Sequence, residues 1–477
     1  MFFQYGIDSR ETQPAEAESQ YWTQQLETYL EPVSQRLDAY LDRRVVGNLT
    51  AAVAGIVTAR APLTTSELGS AILGPAHAEA GTQRLQRALH HEGWQGDLIE
   101  EVLWEQAELS LQQMERRGET ALCIWDSSVL EKPESQKLEG LGKVRSSRVK
   151  RLARSRKGLF NQPGVPVRVP GFDWESLLLV GEEGRPQVVT MTWWEKQEGV
   201  PLQQRQQHHR LLSQVARRFG RRVRHVFDRG YAHGPWLALL SRFRVRFVMR
   251  WKKGNQLLDA SGQERKAWEI ARGKRSWGTQ AKLLWDTHTR TSRSTRVLAL
   301  PVRHPAYPGL LWLVVVRQGG GREPWYLLTN EPVETEEQAW DIAFSYVSRG
   351  KIEEQFRFEK TELLIESVRL RGWEPRRKLL LLITLAYGFL LAALAPPLFQ
   401  ARAQLLSRWD QRADWRLWTA KLPLYRLRWS LSRLWLSHPP CFACSGWRPY
   451  RPLSHLTWPP CSLRWWMTLW HQSGYLF

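Results

Sequence analysis

Hydrophobic positions between residues 121 and 251 come in short runs that alternate with helical patterns. Apolar runs bounded by turn residues predict buried strands, and a hydrophobic period near 3.6 predicts helices. The order is a strand, a hairpin, a helix, a strand, a helix and a strand, which predicts a mixed α/β sheet flanked by helices. The predicted segments are 121–127, 176–180, 187–193, 203–219, 222–228, a short helix after Pro235, and 245–251.

The regions on either side have different patterns. Residues 1–115 predict helices, with a typical helix start at 62–67, and form either a binding module or a bundle that packs on the core. Residues 116–251 form the first part of the core, and 252–334 predict a β-rich insertion. The insertion contains strand-like pieces at 281–285, 295–300, 310–316 and 325–328. Residues 335–400 return to helices, and 401–477 form an Arg- and Trp-rich region, either a dimerisation segment or a disordered one.

An uncharged stretch covers 21 residues, 379–399. On length alone it qualifies as a membrane span. Gly388, Pro396 and Pro397 interrupt the pattern, so we expect a buried core helix and no membrane contact. The N-terminus lacks the uninterrupted apolar region of a secretory signal, because Asp8 follows at once. The expected location is the cytoplasm, in association with the nucleoid.

Basic residues outnumber acidic ones by 68 to 47, which gives a net charge of +21 and a sequence pI near 10.1. Such a charge predicts a polyanionic partner, with nucleic acid ahead of an anionic membrane surface. A run of cations without an acid predicts a loop that orders on DNA, or else a solubilising loop. Its members are Lys143, Arg145, Arg148, Lys150, Arg151, Arg154, Arg156 and Lys157.

Four cysteines are too few for a disulfide framework in a chain of this length. Cys441 and Cys444 have the spacing of a zinc knuckle, and His438, His455 and Cys461 lie near them in sequence. The remaining ligands do not follow a recognisable zinc spacing. Ordinary reduced thiols are therefore the first interpretation, and a zinc site is the alternative.

Acidic residues occupy three positions where a phosphodiester-cutting enzyme needs carboxylates. Asp126 and Asp228 are predicted to end the first and fourth strands, so they converge beside the last helix, which carries Glu353. A helix cap or turn role is the alternative for each aspartate. Gly230 after Asp228 permits a sharp turn that leaves the carboxylate exposed.

The segment around Glu353 has a fixed spacing of four residue types. On a continuous helix Tyr346, Arg349, Glu353 and Lys360 fall within roughly 60° of one another. Gly350 lies inside this segment, and an interior helical glycine costs about 1 kcal/mol relative to alanine. The helix could therefore begin after Gly350, which would leave only Glu353 and Lys360 on one face. Pairing of the two cations with nearby glutamates is the alternative to a binding role.

This segment resembles the YREK signature of the bacterial insertion-sequence-four type of DDE transposases. The resemblance covers roughly residues 120–375, and the order of elements is similar to that of an RNase H-like fold with a β-rich insertion. It implies an enzyme that binds terminal inverted repeats of double-stranded DNA, pairs two ends in a synaptic homodimer, nicks, and transfers the 3′-ends to target DNA.

The resemblance also implies roles for the named residues. Asp126, Asp228 and Glu353 would hold two Mg²⁺ ions, for which Mn²⁺ may substitute, since carboxylate oxygens are the ligands that Mg²⁺ prefers. Arg349 and Lys360 would meet phosphates, and Tyr346 would hydrogen-bond another.

In the same family a tryptophan stacks on a base flipped out of the duplex, so that the free 3′-hydroxyl forms a hairpin. Trp325, 21 residues before Tyr346, matches that position by spacing. A core tryptophan at a strand start is the alternative. Two other functions stay open: a structure-selective nuclease of the same fold, and a decayed or domesticated DNA-binding protein without catalysis.

Overall fold

The computed structural model describes most of the chain. The described residues are 15–135, 137–146, 167–182, 186–194, 203–278, 282–286, 291–319, 321–410, 424–440 and 442. Six cations of the predicted basic loop lie outside them: Arg148, Lys150, Arg151, Arg154, Arg156 and Lys157. Cys441 and Cys444 of the possible zinc site also lie outside, so that interpretation stays open. The described Cys123 is buried and free.

Helices occupy both flanks of the described chain. They are α1 (Ala15–Asp38), α2 (Arg43–Thr58), α3 (Thr65–Leu73), α4 (Ala78–His90), α5 (Asp97–Arg116), α6 (Gln203–Arg218), α7 (Gly234–Arg242), α8 (Ala267–Ala271), α9 (Glu336–Val347), α10 (Gly350–Thr361), α11 (Trp373–Ala392), α12 (Phe399–Trp409) and α13 (Leu424–Ser437). α3 begins where the sequence predicts, since Thr64 caps it by accepting a hydrogen bond from the Glu67 N–H.

Strands join into one 12-stranded sheet within the described residues. They are β1 (Ala121–Glu131), β2 (Gly142–Arg145), β3 (Arg168–Val180), β4 (Pro186–Trp194), β5 (Val223–Phe227), β6 (Arg246–Trp251), β7 (Gln256–Leu258), β8 (Glu264–Lys266), β9 (Lys282–Asp286), β10 (Thr291–His304), β11 (Tyr307–Gln318) and β12 (Trp325–Thr329). The order of elements predicted between residues 121 and 251 is confirmed, with longer hairpin strands.

The spatial order runs β3-β1-β5-β6-β12-β11-β10, with β4 and β2 paired to the other edge of β3. β1 is antiparallel to β3 and parallel to β5, and β5 is parallel to β6. The strands of the predicted insertion are present, but β12 pairs with β6. The insertion therefore extends the central sheet instead of standing apart from it.

Apolar side chains fill both faces of the sheet. Ile124 and Val226 face a core shared with α1 to α4 and α11, whereas Trp125 and Phe227 face a second core with α5, α6 and α7. Adjacent residues of β1 enter opposite cores because side chains alternate across a strand. The N-terminal helices thus pack on the core, and a separate binding role for them stays a prediction.

α11 crosses the first core, and almost all of its residues between Leu379 and Leu391 are buried in the protein. It ends at Ala392, seven residues before the end of the predicted uncharged segment, because a turn and Pro396 follow. No single described helix is long and apolar enough to cross a membrane. The bent pair Trp373–Ala392 and Pro396–Trp409, with an angle of 75°, meets the length and composition test only together.

A buried cation anchors α9 against the parallel strands. Arg224 of β5 bonds both Glu331 oxygens, at 2.5 and 2.9 Å, and pairs with Asp341 at 2.8 Å. Its other terminal nitrogen, Nη1, donates to the Ser345 hydroxyl at 2.6 Å. Because Asp341 and Ser345 belong to α9, this one guanidinium sets the position of the helix that leads to Glu353.

A polar contact also holds α10 on the sheet. Gln355 accepts a hydrogen bond from the Ser176 hydroxyl at 3.0 Å and donates to Glu359 at 3.1 Å. Ser176 lies opposite Asp126 in the β1/β3 register. Glu359 is fully buried, and its second oxygen has no hydrogen-bond partner among the described residues. Burial raises the pKa of the Glu359 carboxyl to about 8.

We expect the free energy of unfolding to fall as pH rises from 5 to 8, and we expect Glu359→Gln to make this fall smaller. The pKa of the Glu359 carboxyl is about 8 in the folded protein against an ordinary value of 4.5. The folded state is therefore stabilised by the protonated carboxyl fully below pH 4.5, and this stabilisation is lost as pH rises through 8. Each pKa unit corresponds to about 1.4 kcal/mol, so the difference reaches a few kcal/mol at most. Urea unfolding at pH 5, 6.5 and 8 measures it.

The control is Glu354→Gln, because Glu354 is exposed on the same helix. It should keep the pH dependence of the unmodified protein. A Glu359→Gln protein with that same dependence would show that the buried carboxyl does not control it.

Candidate active site

The register of the parallel strands brings two aspartates to the same level. The last paired residues of β1 and β5 are Ile124 and Val226, and Asp126 and Asp228 each follow two residues later. The prediction that Asp126 ends its strand is wrong, since β1 continues to Glu131 along β3. Asp126 instead lies where β5 stops, and this removes a neighbour on one side and opens space for its carboxylate.

Asp228 leaves β5 and caps a short 3-10 turn. Its carboxylate accepts a hydrogen bond from the Gly230 N–H at 2.6 Å. A Cβ at position 230 would lie 2.8 Å from the same carboxylate oxygen. Gly230 is therefore required by close approach to Asp228, and not by a positive φ angle. The side chain of Asp228 remains 32% exposed.

Two helices meet in this segment, so of the two interpretations of the sequence the break at Gly350 is the one observed. α9 ends at Val347 and α10 begins at Gly350, so Tyr346 and Arg349 precede the helix that carries Glu353. The prediction that these three residues and Lys360 share one helical face is thus wrong. A helix that starts at Gly350 avoids the free-energy cost of a glycine in the helix interior. Arg349 still reaches Glu353, because its own backbone is helical at φ −56° and ψ −27°.

The Arg349 guanidinium lies among all three acidic side chains. One terminal nitrogen is 2.9 Å from Asp126 Oδ2 and 3.9 Å from Asp228 Oδ2. The other terminal nitrogen bonds Glu353 Oε1. Arg349 and Asp126 are mostly buried, at 17% and 15% exposed, whereas Glu353 is 61% exposed. The structure therefore brings the predicted acidic triad together around one cation.

Burial dominates the electrostatics of this cluster. It raises the pKa of the Asp126 carboxyl to about 7, although Arg349 opposes the shift. The charges of Asp228, Glu175 and Glu353 raise this pKa further. Burial lowers the pKa of Arg349, but Asp126, Tyr346 and Glu353 together raise it above its usual value. The cluster thus carries more negative charge than one guanidinium offsets.

Tyr346 and Trp325 pack on each other beside this cluster. Their rings meet edge to face with centroids 5.4 Å apart, and the Arg250 guanidinium lies 5.6 Å from the centroid of the Trp325 ring. Arg250 also hydrogen-bonds Tyr346. Trp325 is half-buried against the first core, so its base-stacking role stays a prediction. Sequence reasoning missed Arg250, which lies on β6 without a distinguishing motif.

The remaining predicted cations within the described residues have other contacts. Lys360 is 12% exposed, and its ammonium is 3.7 Å from Glu366, a partner outside its own helix. Lys143 and Arg145 belong to β2, which pairs with the start of β3. A DNA contact for these three residues stays a prediction.

A second buried cluster lies behind the aspartates, and sequence reasoning missed it. Glu175 of β3 is fully buried and accepts a hydrogen bond from the Ser127 hydroxyl at 2.6 Å. It also accepts from the Tyr231 hydroxyl, and His208 Nε2 lies 3.1 Å away. The only sequence signal is an acidic residue two positions before the apolar run that begins at Leu177.

The donor chemistry of the triad fits a divalent cation. Its three side chains offer only carboxylate oxygens, the hard ligands that Mg²⁺ prefers, and their negative charge exceeds that of Arg349. Among the described residues, however, no three His, Cys, Asp or Glu side chains stand close enough to hold one metal ion. In this arrangement the carboxylates surround the guanidinium.

Comparison with known proteins bears on this geometry. Residues 203–389 match the family model of the transposase DDE domain. The matched segment contains Asp228 and Glu353, and Asp126 precedes it. The DDE-domain match covers less than half of the chain. No curated protein matches the sequence.

Several chains of solved structures also match, and one of them is described as the piggyBac transposase synaptic complex with hairpin DNA. The identity is 11% and the TM-score 0.29, over 67% of this chain and 55% of that one. The chain thus spans about half the length of that transposase. A TM-score this low carries no argument from one fold to the other.

We expect Tyr231→Phe to destabilise the protein by about 1.5–3 kcal/mol, the usual contribution of a hydrogen bond to a charged group. The Tyr231 hydroxyl donates to the buried Glu175 carboxylate. Tyr29→Phe is the matched control, because the buried Tyr29 hydroxyl has no hydrogen-bond partner in the part of the chain that the structure describes. Its loss should be neutral or stabilising.

Chemical denaturation of both variants measures the difference. Equal destabilisation by Tyr231→Phe and Tyr29→Phe would contradict a specific contribution from the bond to Glu175.

Proposed function

We propose that this protein is a DNA transposase of the bacterial insertion-sequence type. The observation that carries the proposal is the convergence of Asp126, Asp228 and Glu353 on Arg349. All of these residues except Asp126 lie inside the DDE-domain match. In this proposal the enzyme binds terminal inverted repeats, cleaves DNA, and transfers the 3′-ends to target DNA.

The proposed fold of the catalytic core is RNase H-like. Its support is the strand order β4-β3-β1-β5-β6, with the hairpin antiparallel and β1, β5 and β6 parallel. Helices α6 and α7 connect the parallel strands in the order that the sequence predicts. The two aspartates then lie side by side where β5 ends next to β1, close to the helix that carries the glutamate.

The proposed reaction uses divalent metal ions, with Mg²⁺ as the expected ion and Mn²⁺ as a substitute. Asp126, Asp228 and Glu353 would hold them. Bound metal supplies stabilisation of charge on the attacking and leaving oxygens of a phosphodiester. The carboxylates themselves do not recognise bases, so they contribute little to DNA affinity.

Cationic and aromatic side chains next to the triad fit a DNA backbone. Arg349 presents a fork geometry that matches phosphate as well as carboxylate. Arg250 and Lys360 supply further charge, and the net charge of +21 favours binding to a polyanion. Pairing of two ends by a homodimer, and action in the cytoplasm at the nucleoid, belong to the same proposal.

Asp126→Ala, Asp228→Ala and Glu353→Ala should each abolish nicking of terminal-repeat DNA in Mg²⁺ while leaving binding in gel shifts nearly intact. The reason is that the proposed role of these carboxylates is to hold metal and not DNA. Glu354→Ala is the control, because Glu354 is an exposed neighbour on the same helix. Full nicking by any of the three variants would remove that residue from the proposed triad.

Trp325→Ala should leave first-strand nicking largely intact and slow hairpin formation about 5- to 150-fold, if the ring supports a flipped base worth about 1–3 kcal/mol. Denaturing gels on pre-nicked DNA separate the two products. Trp312→Ala is the control, since Trp312 is also half-buried against the same core in a neighbouring part of the sheet.

Equal slowing of nicking and hairpin formation by Trp325→Ala, or absence of hairpins with the unmodified protein, would assign Trp325 to packing. Its contacts with Arg250 and Tyr346 would then be its whole role.

A further inference from the structure

Glu175 joins three separate elements through one buried carboxylate. Its Oε2 accepts from the Ser127 hydroxyl of β1 at 2.6 Å and lies 3.1 Å from His208 Nε2 of α6. Its Oε1 accepts from the hydroxyl of Tyr231, in the turn after β5. Its side chain is 0% exposed. Both oxygens are therefore engaged by groups of the protein itself.

Two of these partners belong to the segments that carry the aspartates. Ser127 follows Asp126 directly, and the Asp228 side chain caps the 3-10 turn that ends at Tyr231. The Ser127 and Tyr231 hydroxyls lie 3.3 Å apart on the same carboxylate. One buried group thus ties the β1 segment of Asp126 to the turn that Asp228 caps.

Stability alone does not account for this cluster. Buried ionic groups are often replaced by apolar residues with no loss of stability, so their presence is weak evidence of a structural role. Nor does Glu175 have the properties of a fourth metal ligand, because it is fully buried and both oxygens already accept hydrogen bonds. Its negative charge nevertheless acts on Asp126, which places the two carboxylates within electrostatic reach.

We propose that Glu175 is a positioning residue that sets the separation and orientation of the Asp126 and Asp228 carboxylates by holding Ser127 and Tyr231. This inference rests on the proposed function, in which those carboxylates hold divalent cations. Groups that orient metal ligands typically change metal affinity about 10- to 100-fold when they are removed. The inference therefore concerns metal affinity and not DNA recognition.

The test is a Mn²⁺ titration of the full chain, followed by electron paramagnetic resonance of the free ion in the absence of DNA. Glu175→Gln keeps the shape of the side chain but has a single acceptor oxygen, so it cannot accept from the Ser127 and Tyr231 hydroxyls on opposite oxygens as the carboxylate does. Tyr231→Phe keeps the Glu175 charge and removes one tie. Both variants should weaken Mn²⁺ binding by about 10- to 100-fold.

Glu131→Gln is the matched control. Glu131 is also a buried glutamate of β1, 3% exposed, and it accepts a hydrogen bond from the Ser146 hydroxyl at 2.9 Å. It lies five residues beyond Asp126 along the strand, so its replacement should leave Mn²⁺ affinity unchanged. Circular dichroism at the titration temperature verifies folding, and if Glu175→Gln does not fold, Tyr231→Phe against Glu131→Gln decides the question.

Weakened binding in Glu175→Gln and Tyr231→Phe, with an unchanged control, supports the inference. Loss confined to Glu175→Gln would overturn it in favour of a direct charge or ligand role, and unchanged affinity in both variants, or equal loss in the control, would overturn it as well. Absence of Mn²⁺ binding by the unmodified protein would overturn the proposed function and this inference with it, which distinguishes the two failures.

Discussion

Repulsion between carboxylates is the constraint on which the rest of this structure depends. Asp126, Asp228 and Glu353 come from widely separated parts of the sequence, and two of them are largely shielded from water. At short range in a protein, like charges repel by several kcal/mol unless a cation or water offsets them. Arg349 provides that cation by contacting all three. The fold must therefore hold an unfavourable group of charges together and also place a guanidinium among them.

Rigid elements around the cluster supply the remaining support. The Arg224 network fixes α9 to β5, and Gln355 fixes α10 to Ser176, which lies opposite Asp126. The first contact joins the helix that leads to Glu353 to the central sheet, and the second joins the helix that carries Glu353. The polar groups are buried, so each lost partner would leave a desolvated group without compensation. The position of Glu353 relative to the aspartates thus depends on contacts that never touch the triad.

The central sheet also determines how the flanking regions relate to the site. β12 pairs directly with β6, so Trp325, at the start of β12, comes beside Arg250 near the end of β6. The same pairing sets Trp325 against Tyr346 at the end of α9. What the sequence presents as an insertion between the second aspartate and the glutamate is therefore continuous with the core. On the other flank, α1 to α4 share an apolar core with α11.

The sequence alone determined the order and type of the elements between residues 121 and 251, the position of the last helix, and the convergence of Asp126 and Asp228. Hydrophobic periodicity reports which faces a segment buries, and parallel strands end at a common edge, so these features are readable locally. The glycine at position 350 also carried its own signal, since a helix break there avoids an interior glycine.

Tertiary structure alone decided which groups became partners. Nothing in the sequence indicates that Arg349 reaches Asp126 across 223 positions, or that Glu175 collects Ser127, Tyr231 and His208. Lys360 likewise pairs with Glu366, which lies outside its own helix. Such contacts depend on strand register and helix packing between distant segments, and a one-residue change of register would turn each side chain to the opposite face. Local patterns contain no information about that register, which is why the chemistry of the cluster became visible only in the folded chain.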